Sequence, residues 1–169
     1  LTGIANRRFF ERRLKEEVNR LRRSGKSLCG MLVDVDYFKQ VNDTRGHQTG
    51  DRVLHRMAQL LGMELRATDV LARYGGEEFV LLLPDTGWIQ AMAIAERLSV
   101  RIATQPILSE SADAPLWLTV SIGCACLDGE ALSAGGGESW LLEQADNALY
   151  EAKKRGRNRV VRASQTATA

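Results

Sequence analysis

Short apolar runs alternate along the chain with longer segments in which apolar residues recur at helical spacing. Short runs flanked by turn residues are typical of buried strands, and the longer segments are typical of amphipathic helices. The pattern predicts helices at about 7–23, 49–66, 91–102 and 141–152, and strands at about 28–35, 70–74, 79–83, 116–127 and 160–161.

The two central strands are separated by Gly75-Gly76-Glu77-Glu78. A Gly-Gly pair between two apolar runs is typical of a hairpin, because both positions can take a positive φ. The polar stretch that follows the first strand contains breakers at Asn42-Asp43 and Gly46 and is predicted to be a connection. Alternating helices and strands around a hairpin favour a mixed or mostly antiparallel sheet over a parallel doubly wound one.

Composition fits one ordinary compact domain. The chain has 169 residues, of which 44% are hydrophobic and 26% charged, so it can bury a core without disulfide or metal staples. The net charge of +2 is too small to indicate a nucleic-acid binder, although its sign permits an anionic ligand.

Because the chain starts at Leu1 rather than Met, we expect a piece of a longer protein, and the small polar residues 163–169 are expected to form a disordered tail.

Localisation is predicted from what the sequence lacks. No apolar run approaches the roughly 18 residues of a membrane span, and no signal peptide is recognisable. We therefore expect a cytoplasmic domain, either free or attached to a membrane-anchored protein. The odd number of cysteines, without a CxxC pair, predicts buried free thiols in a reducing compartment at Cys29, Cys124 and Cys126.

Acidic residues lie where the first strand ends and at the hairpin tip. Asp34 and Asp36 point to the same side if the strand continues that far, and burying charge is costly unless it is paired or metal-bound. If the hairpin lies beside the first strand, Glu77 can approach Asp34. Two carboxylates and a backbone carbonyl would then form an oxygen cage suited to Mg²⁺. The alternatives are a cap of the following turn for either aspartate and a solvent-exposed acidic turn for the hairpin.

Basic residues could supply the complementary half of a phosphate site. Lys39 follows the acidic strand end, and a cluster surrounds the end of the last long helix at Lys153, Lys154, Arg155, Arg157 and Arg159. Cations near a helix carboxyl end are also common for reasons of the helix dipole alone. Both interpretations stay open for each of these residues on this pattern.

Five blocks, in order, resemble the GGDEF family of diguanylate cyclases. They correspond to the family patterns LTGLxNRR, DxDxFKxxND, GHxxGD, GGDEF or GGEEF, and ALYxAKxxGRN, and they lie at 1–8, 34–43, 46–51, 75–79 and 148–158. The resemblance covers residues 1 to about 161. It implies an α+β fold like the palm of adenylyl cyclases and some polymerases, with a five-stranded, mostly antiparallel central sheet of ferredoxin-like core, wrapped by helices and ending near residue 162.

The resemblance also implies an activity. A diguanylate cyclase condenses two GTP into cyclic di-GMP with release of two pyrophosphates, using Mg²⁺ or alternatively Mn²⁺. Because one domain holds one GTP and the product is two-fold symmetric, we expect catalysis by a homodimer. A sensory or dimerisation domain is expected on the N-terminal side, outside this chain. We expect GTP and cyclic di-GMP, and no nucleic acid, as ligands.

Site residues follow from motif position. The metal ligands implied are Asp34, the carbonyl of Val35, and Glu77. The residues implied in catalysis are Glu77, Glu78 and Lys39. The substrate-binding residues implied are Phe38, Asn42, His47, Asp51, Gly75, Gly76, Lys153 and Arg157, with Asn42 and Asp51 reading the guanine edge.

A second site is implied just before the hairpin. Arg66-Ala67-Thr68-Asp69 matches the family's RxxD inhibitory motif, and Arg97 lies on the next helix, where the family often has another product-binding arginine. Arginine pairs with phosphate and stacks on guanine. The alternative is a helix-end arginine capped by Asp69, with Arg97 on a solvated face.

Two other functions compete with the cyclase. One is a silent domain that binds GTP or cyclic di-GMP as a sensor, which is disfavoured because the signature glutamates and Asp34 are intact. The other is a structural or dimerisation module with a merely solvated acidic hairpin, which is disfavoured by the intact pair Asn42 and Asp51. GTP binding without turnover would indicate the first, and no GTP binding would indicate the second.

Overall fold

The computed structural model describes residues 3–108 and 114–164. Its helices are α1 (Arg7–Ser24), α2 (Phe38–Arg45), α3 (His47–Gly62), α4 (Trp88–Ala103), α5 (Gly129–Ser133) and α6 (Glu138–Lys154). Its strands are β1 (Ala5–Asn6), β2 (Leu28–Val35), β3 (Val70–Arg73), β4 (Glu78–Pro84), β5 (Val120–Leu127) and β6 (Arg159–Arg162). No helix in the described part of the chain is both long and apolar enough to cross a membrane.

The strands form a single sheet in the order β1-β3-β4-β2-β5-β6. β2 lies between β4 and β5 and is antiparallel to both, whereas the two outermost pairs, β1 with β3 and β5 with β6, are parallel. The predicted mostly antiparallel α+β architecture is therefore confirmed. The sheet has six strands rather than five, because β1 adds a two-residue edge strand that is too short to leave a periodic pattern.

Both faces of the sheet are covered by helices. Side chains alternate along β2, so that Leu28 and Leu32 pack with α1 and α6, while Met31 and Val33 pack with α3 and α4 on the other side. A strand buried on both faces reads as a continuous apolar run, which is why β2 was recognisable from the sequence.

The main departure from the predicted elements lies after β2. Residues 38–45 form α2, although their polar composition predicted a connection. Gly46, with a φ of 82°, separates α2 from α3, so the predicted breaker is present but the segment before it is helical. β5 begins at Val120 rather than at residue 116, because Leu116 only bridges to Leu108.

Helix α6 lies unusually close to the sheet at Gly123. A β-carbon on Gly123 would lie 2.8 Å from the Cα of Leu149 and closer still to the carbonyl oxygen of Ala145. Real β-carbons do not approach backbone atoms this closely, so only glycine permits the helix to lie here. This approach fixes the carboxyl end of α6 over the end of β2.

The prediction of three free thiols is wrong. Cys29 of β2 and Cys126 of β5 are joined in a disulfide, and Cys124 is the free, buried cysteine. Cys29 and Cys126 are directly opposite each other in the antiparallel register, which brings their side chains together on one face. Residue spacing in the sequence does not reveal this register, and a count of cysteines could not predict the pairing.

The predicted tail is only partly described. Residues 165–169 lie outside the described residues. Ala163 is buried, and its N–H donates to the Cys124 carbonyl (2.8 Å), so the chain stays packed on the sheet at least to that residue.

Candidate active site

The centre of the candidate site is an ion pair between β2 and α6. Asp34 Oδ2 lies 2.8 Å from Lys153 Nζ, and the Asp34 side chain is 8% exposed. Burial raises the pKa of Asp34, while the hydrogen bond and the charge of Lys153 oppose that shift. Asp34 is therefore a desolvated carboxylate that depends on a neighbouring cation.

Glu77 brings a second carboxylate to the same place. Its carbonyl oxygen accepts from the Val35 N–H (3.3 Å), and the next residue, Glu78, is directly opposite Asp34 in the β2–β4 register. The pKa of Glu77 is raised first by burial and then by the charge of Asp34, and Lys153 lowers it. The hairpin tip and the end of the first strand thus lie side by side, as predicted.

These groups have the donor chemistry of a hard-cation site. Two partly desolvated carboxylates repel each other, and one ammonium group offsets their charge. Within residues 3–108 and 114–164, no set of three or more His, Cys, Asp or Glu side chains is arranged to hold a metal ion. The protein therefore offers two carboxylates rather than a closed cage, which is the arrangement Mg²⁺ uses when water and substrate phosphates complete its shell.

The hairpin loop has a different geometry from the one predicted. Neither Gly75 nor Gly76 has a positive φ, so the proposed reason for a glycine pair is wrong although the hairpin is correct. A β-carbon on Gly75 would lie 2.7 Å from Glu78 Oε2, whereas a β-carbon on Gly76 would meet nothing within 4 Å. Gly75 therefore makes room for the Glu78 carboxylate, and Gly76 leaves the loop surface open to a ligand.

Arg73 shapes this loop and was missed in the sequence. Its Nη2 donates to the Gly76 carbonyl (2.7 Å), and its Nε lies 3.2 Å from the carbonyl oxygens of both Gly75 and Gly76. The signal that could have found it is an arginine at the last position of β3, within reach of loop carbonyls that have no strand partner.

Asp36 has surroundings quite unlike those of Asp34. It is 1% exposed and accepts hydrogen bonds from Thr119, Ser121 and the backbone N–H of Asn158. The idea that it caps the turn after β2 is wrong, because these partners lie around the start of β5 and after α6.

The predicted guanine-reading residues lie around the α2–α3 junction. Asn42 is half-buried on α2, and a β-carbon on Gly50 of α3 would overlap Asn42 Oδ1 and lie 3.1 Å from Phe38 Cζ. Gly50 therefore lets α3 pack directly against Asn42 and the buried Phe38. Asp51, the next residue along, is exposed. His47 is exposed at the start of α3.

The three cationic residues predicted to bind phosphate differ in how firmly the protein holds their side chains. Lys153 is bound to Asp34, and the guanidinium of Arg157 lies 5.0 Å from the centroid of the Tyr37 ring. Lys39 is exposed on the first turn of α2. Two of the three cations are thus held in place by the protein, and Lys39 stays at the surface.

The RxxD segment forms a compact turn on another side of the domain. Asp69 Oδ2 accepts from the Arg66 N–H (2.8 Å), whereas Asp69 Oδ1 is buried without a hydrogen-bond partner among the described residues. Burial raises the pKa of Asp69, and the bond from Arg66 opposes this. Arg97 instead donates to Glu64 (3.0 Å), which also binds Arg101.

Comparison with known proteins identifies the family. The family model described as diguanylate cyclase, GGDEF domain, matches residues 1–159. The response regulator PleD of Caulobacter vibrioides is 41% identical over 161 residues, which are 95% of this chain and 35% of PleD. The diguanylate cyclase DgcP of Pseudomonas aeruginosa is 42% identical over 160 residues, which are 95% of this chain and 23% of DgcP. The chain thus spans about a third or less of the length of these two relatives.

A solved structure shows the same architecture. The GGDEF domain of DgcB from Caulobacter crescentus, in complex with c-di-GMP, superposes with a TM-score of 0.90 at 33% identity. The match covers 97% of this chain and 91% of that one, which confirms the predicted palm-like fold. The chain therefore belongs to the GGDEF family of diguanylate cyclase domains.

Proposed function

We propose that this domain condenses two molecules of GTP into cyclic di-GMP and two pyrophosphates. The observation that carries the proposal is the cluster at the end of β2, where Asp34, Glu77 and Lys153 meet beside an open glycine loop. The named cyclases that this chain matches over 95% of its length support it.

A divalent cation fits this cluster. Asp34, Glu77 and the carbonyl of Val35 would hold Mg²⁺, or alternatively Mn²⁺, with water and phosphate oxygens completing the shell. When bound, the ion polarises the phosphates and favours ionisation of a nearby hydroxyl. Lys153 is bound to Asp34 in the structure, and with a cation held by Asp34 its amine would be available to the nucleotide phosphates.

The chemical step is a nucleotidyl transfer between two domains. The 3′-hydroxyl oxygen of one GTP forms a bond to the α-phosphorus of the other, the bond from that phosphorus to the pyrophosphate oxygen breaks, and pyrophosphate leaves in line. The same transfer in the opposite direction closes the ring and releases the second pyrophosphate. The hydroxyl proton passes to Glu77 or to water beside it, with Glu78 assisting. Lys39, Lys153 and Arg157 neutralise the charge on the β- and γ-phosphates, so catalysis rests on positioning and electrostatics.

Base selection would come from the α2–α3 junction. The amide of Asn42 and the carboxylate of Asp51 face the guanine edge, and the carboxylate accepts from the N1 and N2 hydrogens. Adenine has no matching donors, so ATP would leave the carboxylate unpaired, which is how a polar pocket rejects an isostere. His47 and Phe38 line the same pocket.

The product site is proposed at the RxxD turn. Asp69 is the acceptor proposed for guanine, because its Oδ1 has no hydrogen-bond partner among the described residues, and Arg66 supplies a guanidinium for phosphate. Arg97 would join them by exchanging its bond with Glu64 for a product phosphate. Occupation of this site by cyclic di-GMP would inhibit the enzyme.

The test is product formation from GTP and Mg²⁺, detected by mass, for the wild type, Glu77→Gln and Glu17→Gln. Glu17 is a matched control because it is a buried carboxylate paired with Arg13 (2.9 Å) on α1, away from the cluster. We expect product from the wild type and the control and none from Glu77→Gln. The assay is run on the chain alone and on the chain fused to a dimeric coiled coil, since the reaction needs two copies. Equal product from Glu77→Gln would refute the site, and GTP binding without turnover by the fused wild type would indicate a sensor.

A further inference from the structure

Asp36 is the most buried carboxylate in the described part of the chain, and both of its oxygens are bonded. Oδ1 accepts from Ser121 Oγ (2.7 Å), and Oδ2 accepts from Thr119 Oγ1 (2.6 Å) and from the Asn158 N–H (3.0 Å). A carboxylate only accepts, so three convergent donors match its chemistry. This residue therefore needs no cation, in contrast to Asp34.

The three bonds join segments that are far apart in sequence. Thr119 and Ser121 flank the start of β5, and Asn158 lies 122 residues beyond Asp36, just before β6. Asp36 thus ties the end of β2 to the turn between α6 and β6. The turn follows the helix end that carries Lys153.

That turn has a backbone that the chain does not adopt easily by itself. Gly156, Arg157 and Asn158 have φ values of 107°, 62° and 46°, so three consecutive residues are left-handed and two of them carry side chains. Such conformations persist where the surrounding structure holds them. The Arg157 N–H bonds to Ala152 within the helix end, and the Asn158 N–H bonds to Asp36. Asp36 supplies the contact from outside the turn.

The side chain of Arg157 is held by the residue next to Asp36. Its guanidinium lies over the ring of Tyr37, the residue that follows Asp36 and that itself has a φ of 57°. The carboxylate of Asp36 therefore fixes the backbone on one side of Arg157, and the neighbouring ring fixes its guanidinium. Both contacts start from the end of β2, next to Asp34.

We infer that Asp36 is a positioning residue that aims Arg157 at the β- and γ-phosphates of the nucleotide. The inference rests on the proposed function, because it takes Arg157 as a phosphate ligand. It goes further by assigning to the second aspartate of the strand end a role separate from the metal site. Asp36 acts through the turn and does not touch the substrate.

The test compares the affinity of a non-hydrolysable GTP analogue with that of GMP, both with Mg²⁺. GMP lacks the two outer phosphates, so it reports the guanine pocket without Arg157. We expect Asp36→Ala to weaken binding of the analogue about tenfold, the effect of one charge-assisted contact, and to leave GMP affinity unchanged. Ser121→Ala is the matched control, because it removes one hydrogen bond to Asp36 and leaves the bond from Asn158. It should bind the analogue as the wild type does.

A double-mutant cycle separates this inference from the proposed function. We expect Asp36→Ala combined with Arg157→Ala to bind the analogue no more weakly than Arg157→Ala alone. Additive losses, or wild-type binding by Asp36→Ala when Arg157→Ala is impaired, would overturn the inference. Wild-type binding by Arg157→Ala would instead overturn the phosphate role of Arg157 in the proposed function, and the inference with it.

A second variant covers a failure of Asp36→Ala to fold. Asp36→Asn keeps the volume but removes the charge, so the bond from the Asn158 N–H weakens. Amide hydrogen exchange should become faster at Asn158 and stay unchanged at Ile122, the third residue of β5. Unchanged exchange at Asn158 would show that Asp36 does not hold the turn.

Discussion

Gly123→Ala should destabilise the domain far more than the same change at Gly30. Both glycines lie in central strands under α6, on the same face of the sheet. A β-carbon on Gly30 would lie 3.4 Å from Leu141 Cγ, an atom of a side chain that can yield. At Gly123 it would meet the backbone of Ala145 and Leu149, with the Leu149 Cα at 2.8 Å, and a helix backbone cannot yield locally.

These distances indicate how much stability Gly123→Ala should cost. Relieving the contact at Gly123 requires α6 to move away from the sheet by an appreciable fraction of an ångström along much of its length. Overpacking of this kind costs about 1–3 kcal/mol, and we expect the upper half of that range because the clash is with backbone. For 169 residues the entropy of unfolding is roughly 0.35 kcal/mol/K, so a loss of 2–3 kcal/mol lowers the Tm by about 6–8 °C.

For Gly30→Ala, a small gain in stability offsets a small cost. Alanine reduces the conformational freedom of the unfolded chain, which stabilises by about 0.4–1 kcal/mol and offsets a mild contact with Leu141. We expect its Tm within a few degrees of the wild type. Thermal unfolding of both variants followed by circular dichroism, with the disulfide kept in one redox state, makes the comparison. Equal midpoints for the two variants would refute the argument that α6 is fixed by its approach to Gly123.

Three other predictions concern parts of the domain away from the strand end. Without reductant, one thiol should react with iodoacetamide, and only after unfolding, because Cys124 is buried and burial raises its pKa; three thiols reacting after unfolding would contradict the disulfide. Hydrogen bonds from Arg97 and then from Arg101 lower the pKa of Glu64 from its ordinary value of 4.5. The two ion pairs therefore stabilise the domain fully above pH 4.5, and this stabilisation is lost as the pH falls through the lower folded-state pKa. In urea unfolding, Glu64→Gln should lower the free energy of unfolding at pH 7 and leave it unchanged in stronger acid. An equal loss of stability at both pH values would contradict this. Arg66→Ala should raise the concentration of cyclic di-GMP that halves the rate of product formation about tenfold or more, the loss of one charge-assisted phosphate contact; unchanged inhibition would remove the product site.

The pattern of apolar and polar residues was sufficient to predict those elements that leave a clear apolar run or period in the sequence. β2 and β4 were recognisable because a strand buried on both faces is almost entirely apolar. The β3–β4 hairpin pairs with β2 through β4, and this pairing brings Glu77 to Asp34. α2 was missed because its consecutive Asn42, Asp43 and Thr44 have weak helix propensity, and its buried Phe38 and Val41 were too few to show a period.

The rest depends on contacts that sequence spacing does not reveal. The disulfide requires the β2–β5 register, and the role of Asp36 requires partners 83, 85 and 122 residues away. The guanine and phosphate assignments came from the family resemblance. The structure groups Asn42 with Gly50 and Phe38 and holds Arg157 against Tyr37.

Binding of Mn²⁺ in the presence of a non-hydrolysable GTP analogue, followed by electron paramagnetic resonance, measures whether Asp34 and Glu77 hold a divalent cation together. If Asp34 and Glu77 share one divalent cation over the phosphates, Asp34→Asn and Glu77→Gln should each weaken Mn²⁺ binding at least about tenfold, because each removes the negative charge of an oxygen ligand, while Glu17→Gln binds as the wild type does. Wild-type Mn²⁺ affinity in both site variants would contradict the account.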